Sequence, residues 1–184
     1  MIQVWTLPIR IFHFLLVISV ITLFLTDDFK RIHEIAGFSV LFLIIFRLIY
    51  GLTTKNKYEK LSGFFHPIYD NFSFLISVFQ MKEKRYLGHN PVASIVMILI
   101  FIISIMLVFS GAVGFAMKEE EGVFSFFILH NFELGKNILH LHHILSNILL
   151  TLVGFHLIGV LVSSFLTKEN LAKTIFKNGL KRNS

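Results

Sequence analysis

The chain has 184 residues, 55% of them hydrophobic and only 15% charged, with a formal net charge of +6 and no cysteine. That balance excludes an ordinary soluble domain, and the length allows one domain. Without cysteine there are no disulfides, thiolate metal sites, iron–sulfur clusters or C-x-x-C-H haem attachments. The positive charge lies between apolar segments and not on one face of a soluble module, so it points to membrane topology and away from nucleic acid.

Four apolar runs are long enough to span about 30 Å of hydrocarbon: 9–26, 35–52, 92–117 and 144–166. Backbone groups in lipid must be satisfied internally, so these runs are predicted helices. The expected fold is an all-α, integral membrane, up-and-down four-helix bundle forming a single domain over 1–184. No A-x-A-like cleavage site follows the first run, which is therefore expected to remain as a span.

If the N-terminus is cytoplasmic, the inner side collects Arg10, Arg47, Lys55, Lys57, Lys60, Lys82, Lys84, Arg85, Lys168, Lys173, Lys177, Lys181 and Arg182. The outer side receives Lys30, Arg31, Lys118 and Lys136. Thirteen bases against four place both termini inside, as expected for a multi-pass protein of the cell inner membrane.

The first span carries His13 near its inner end, and the second begins beside His33 at the outer side. Arg47 lies five residues before the end of the second span; it either snorkels to the inner surface or pairs with a propionate of a bound haem. Trp5 and Tyr50 read as interface anchors. In the inner loop 53–90, Ile68, Phe72, Leu75, Ile76 and Phe79 recur at helical spacing ahead of Lys82, Lys84 and Arg85. An amphipathic helix over about 67–82 is expected there, at the membrane surface or against the bundle ends. His66 falls in this loop and is expected to be solvated, as is His130 in the outer one. Before the third span, Asn90 suits an N-cap and Pro91 a first helical position. The adjacent His89 is an interfacial residue, a haem-propionate contact or part of a quinone pocket. Glu119, Glu120 and Glu121 form a solvated run or a docking patch.

The fourth span has the densest pattern, HLHHILSNILLTLVGFH from His140 to His156. At about 100° per residue, positions 14 apart share a helix face within about 40°, so His142 and His156 align about 21 Å apart in depth. His140 and His143 point elsewhere and belong to the wet outer end. Ionisable groups inside a membrane face the bundle interior and are functional candidates. Matching depths pairs His33 with His142 and, more coarsely, His13 with His156. Two opposed imidazoles at two levels are what two stacked b-type haems require, with Gly37, Gly111, Gly154 and Gly159 giving room at the ring edges; glycines also serve helix packing. Six-coordinate iron of this kind carries electrons and activates no oxygen. A metal or proton transporter using the same imidazoles is the alternative, although no carboxylate lies inside the third or fourth span. A passive membrane anchor of a dehydrogenase is another.

VWTLPIRIFHF (4–14), IHEIAGF (32–38), FRLIYG (46–51), YLGHNP (86–91), HHILSNILLTLVGFH (142–156) and TKENLAKTIFKNGLKR (167–182) together resemble the prokaryotic cytochrome b561 and Ni/Fe-hydrogenase b-type cytochrome family. The resemblance touches all four spans. It implies four membrane helices binding two haems b, with His13, His33, His142 and His156 at the ligand positions. It also implies a non-enzymatic electron-transfer subunit of the respiratory chain, able to join a larger oxidoreductase complex. Such a subunit relays electrons between a periplasmic redox partner, a hydrogenase or a cytochrome c, and the quinone pool. Two positions depart from the pattern: Phe14 stands where Trp is frequent, and Thr6 where an acid is common.

Overall fold

A computed structural model describes residues 2–81 and 86–181. Four helices are long and apolar enough to cross a membrane: α1 (Leu7–Leu25), α2 (Lys30–Thr53), α4 (Pro91–Glu119) and α5 (Phe132–Thr167). Between α2 and α4 lie a 3-10 turn at Leu61–Phe64 and α3 (Ile68–Phe79). A two-residue pairing joins β1 (Ile2–Gln3) to β2 (Leu180–Lys181), antiparallel, with Ile2 opposite Lys181. Both ends of the described chain therefore meet at one end of the bundle, hereafter the terminal end. Lys82, Lys84, Arg85 and Arg182, counted above as inner bases, lie outside the described residues.

Helices α1 and α2 form one hairpin, α4 and α5 a second, and α2 packs on α4 to join them. The core at this junction contains Phe12, Val40, Leu43, Ile44, Ile100, Phe101, Leu107, Leu145 and Leu149. Among the described residues, α5 has no comparable backbone packing along α1 or α2, so a gap runs between α5 and the first hairpin. By contrast α4 and α5 approach closely. An added Cβ at Gly135 would lie 2.7 Å from the Lys118 amide nitrogen and 2.9 Å from the Gly114 carbonyl. The small residues let the two backbones touch where lipid gives no hydrophobic drive for association.

The fourth span starts twelve residues earlier than its apolar run. Asn131 caps it by accepting from the Leu134 amide at 3.0 Å, and the helix continues through His140, His142 and His143. Hydropathy marks where lipid begins, whereas the cap marks where the helix begins. Asn90 likewise accepts from the Ala93 amide at 2.7 Å, with Pro91 as the first residue of α4. Helix α3 turns buried Phe74 and Asn71 inward while Tyr69, Phe72, Ile76 and Phe79 stay exposed. It packs on α4 and still presents an apolar stripe.

The terminal end is closed by two clasps. Glu59, fully buried, accepts from the Thr6 amide at 2.5 Å, the Tyr50 hydroxyl at 3.2 Å and the Thr54 hydroxyl at 3.5 Å. The Tyr50 proton is committed to Glu59, so the Thr6 hydroxyl donates to the Tyr50 oxygen at 2.9 Å. Tyr50 thus belongs to an internal network and is not a simple interface anchor. The carboxylate also lies at the N-terminal end of α1, where a helix dipole favours negative charge. In the second clasp, the Arg10 guanidinium donates to the carbonyls of Ile175, Phe176 and Lys177 at 3.1, 3.3 and 2.5 Å.

Gly135→Ala is expected to spread α4 from α5 and cost about 1–3 kcal/mol, read as a lowered unfolding midpoint in detergent. Glu59→Ala leaves three donors without their acceptor and should cost about 1–3 kcal/mol; Glu59→Asp, which keeps a shortened acceptor, should cost less in the same assay.

Candidate cofactor site between the helices

The gap beside α5 is where the histidines meet. His33, on the first turn of α2, faces His142 of α5 with ring centres 6.2 Å apart and planes at 63°. Nearer the terminal end, His13 of α1 faces His156 of α5 at 6.5 Å and 47°. A metal bonded by an imidazole nitrogen on each side at about 2 Å holds those nitrogens about 4 Å apart and the ring centres about 6 Å apart. Both pairs have this separation. His140 and His143 are exposed on α5; His143 still lies 6.2 Å from the His142 ring and borders the same cleft.

The hydrogen bonds determine which nitrogen is free. His142 Nδ1 lies 3.0 Å from the Leu107 carbonyl, and His33 Nδ1 lies 3.2 Å from the Leu23 carbonyl. A carbonyl only accepts, so in each ring Nδ1 carries the proton and Nε2 keeps its lone pair for a metal. His13 differs: its Nδ1 is buried with no hydrogen-bond partner among the described residues, and its ring rests against Phe176 at 5.4 Å. The Arg10 clasp holds that phenyl group in place.

The cleft around His33 and His142 has a volume of about 460 Å³. Its walls are mainly apolar, including Val20, Leu23, Phe38, Val108, Phe115 and Leu149, with Lys30, Glu34, Lys118 and Glu119 also on its lining. Such a space suits a large flat apolar ligand with polar substituents. Gly111 is required here, because a Cβ would come within 2.9 Å of His142 Cε1. Gly37 also lines the cleft, while Gly154 and Gly159 face open space. The described residues contain no group of three or more His, Asp or Glu able to hold a metal ion.

A second cluster occupies the terminal end. Arg47 is only 3% exposed, which removes the snorkelling reading: Phe64 covers its guanidinium at 5.3 Å, so it does not reach solvent. One of its terminal nitrogens, Nη1, is buried without a hydrogen-bond partner, in space that exists because residue 51 is glycine. Phe64 also packs on His89 at 4.6 Å, and Trp5 packs on His89 at 4.9 Å. His66 is half-buried, its Nδ1 enclosed without a partner beside Tyr86, and so is not the solvated residue expected. His130 is exposed but contacts Glu120 at 3.2 Å. Phe14 points outward from the bundle.

Two residues at these sites, Glu59 and Phe64, carry no signal in the sequence, because they sit in a loop without a motif. Only pairing in space gives them roles.

The chain matches the prokaryotic cytochrome b561 family over residues 4–178. Comparisons with curated proteins and with solved structures give no match. With four spans, facing histidine pairs and a family match over nearly its whole length, the chain belongs to the prokaryotic cytochrome b561 family of membrane b-type cytochromes, which act in electron transfer.

Proposed function

We propose that the protein is a di-haem electron-transfer subunit of the cell inner membrane, with His33 and His142 holding one haem b and His13 and His156 the other. The observation that carries this reading is the facing of imidazoles at a metal-bridging separation, at two levels of the gap between α5 and the first hairpin. Bound haem iron supplies a one-electron couple between its ferric and ferrous states. The protein's own contribution is to position and insulate. The Leu23 and Leu107 carbonyls fix two ligand tautomers, Gly111 admits the His142 ring, and apolar walls exclude water. Each haem would be held by two imidazoles and would supply electron transfer, not oxygen activation.

With both termini cytoplasmic, as the distribution of bases favours, the His33–His142 pair lies toward the periplasm and the His13–His156 pair toward the cytoplasm. The outer pair then exchanges electrons with a periplasmic redox protein, a hydrogenase or a cytochrome c, and the inner pair with the quinone pool. Arg47 and His89, gathered around Phe64, are the candidate contacts for a haem propionate or a quinone. The unpartnered buried nitrogen of Arg47 supports the carboxylate role, since a guanidinium suits paired oxygens.

The dithionite-reduced purified protein is expected to show a b-type haem band with two haems per chain by pyridine haemochrome; a colourless protein would remove the proposal. His142→Ala and His156→Ala should each lose at least one haem. Full haem content in either variant would overturn the ligand assignment.

A further inference from the structure

Resting on that reading, we infer that Ser110 is a positioning residue for the outer haem, clamping the His142 imidazole so that the outer and inner haems differ electronically. The Ser110 hydroxyl oxygen lies 3.2 Å from His142 Nδ1 and donates its proton to the Leu107 carbonyl at 3.1 Å, while that carbonyl lies 3.0 Å from the same Nδ1. Three polar atoms thus form a closed triangle inside the bundle. The proton on Nδ1 has two acceptors within reach, and they constrain both the tautomer and the plane of the ring. Gly111, the next residue, supports the ring from behind, because any side chain there would displace it.

At the inner site His13 has no such bond among the described residues: its Nδ1 is buried without a hydrogen-bond partner, and its ring packs against Phe176 and faces His156. A hydrogen bond from Nδ1–H to an oxygen pushes electron density toward Nε2 and raises the basicity of the ligand. A more basic axial ligand stabilises oxidised iron and lowers the reduction potential. Both outer imidazoles have such bonds and His13 of the inner pair does not, so the outer haem takes the lower of the two potentials and the inner haem the higher. Electrons entering from the outer side then run downhill toward the terminal end. Ser110 contributes by adding a second acceptor at Nδ1 and by fixing the 63° angle between the outer ring planes, a quantity to which low-spin ferric EPR spectra are sensitive.

The test is a redox titration and low-temperature EPR of the haem-loaded full chain, with Ser110→Ala and Ser110→Thr. Ser110→Ala is expected to raise the lower midpoint potential and move one low-spin EPR signal, leaving the other haem's potential and signal in place. Ser110→Thr, which keeps a hydroxyl, should restore both values. If Ser110→Ala holds two haems with both potentials and both signals unchanged, or alters only the higher-potential haem, the inference is overturned. Absence of haem from the unaltered protein would instead refute the di-haem reading, so the two failures are distinct.

Discussion

A buried imidazole must find a partner for each nitrogen or bear the cost of burial, and this requirement organises the bundle. Helix α5 satisfies its own backbone and, among the described residues, makes its close helix packing with α4. On its other side it presents two histidines, fourteen residues apart, toward two more on α1 and α2. Had α5 packed directly on the first hairpin, no room would remain between those rings. The architecture is therefore two tight hairpins held apart on one flank by a gap across which two pairs of imidazoles face each other.

Tight packing elsewhere preserves that opening. Gly114 and Gly135 draw α4 and α5 together, and the apolar cluster around Ile44 and Phe101 fixes α2 against α4. At the terminal end the loop carrying Glu59 ties the start of α1 to the end of α2, while Arg10 ties α1 to the segment after α5. The gap is bounded by contacts that differ in kind: steric along α4–α5, polar at the terminal end. That division has a physical basis. Lipid-facing surfaces have little besides shape with which to choose partners, whereas a membrane interface allows hydrogen bonds to be made and desolvated locally.

The spans, their number and the shared face of His142 and His156 could be read from the sequence because each rests on a period. Twenty apolar residues match a bilayer, and a separation of fourteen matches a helix face. What escaped has no period. Glu59 lies 53 residues from Thr6, and its importance comes from complete burial, which composition does not reveal. Arg47, placed at the right depth, was left between water and a carboxylate; only the overlying Phe64 decides against water. The early start of α5 was hidden because its first turns are polar, so an apolar window skipped them although Asn131 had already begun the helix. The tautomers of His33 and His142 depend on carbonyls, which every residue has and no sequence distinguishes.

The Arg10 clasp and the pairing of β1 with β2 also bear on the order of assembly. The first strand and the first span emerge early in synthesis, yet the carbonyls they bind belong to residues made after all four spans. Until those late residues arrive, His13 lacks the phenyl group of Phe176 against its ring. The compartment around His13 and His156 is thus completed only by residues made after α5, whereas the cleft around His33 and His142, whose lining ends within α5, can form before them.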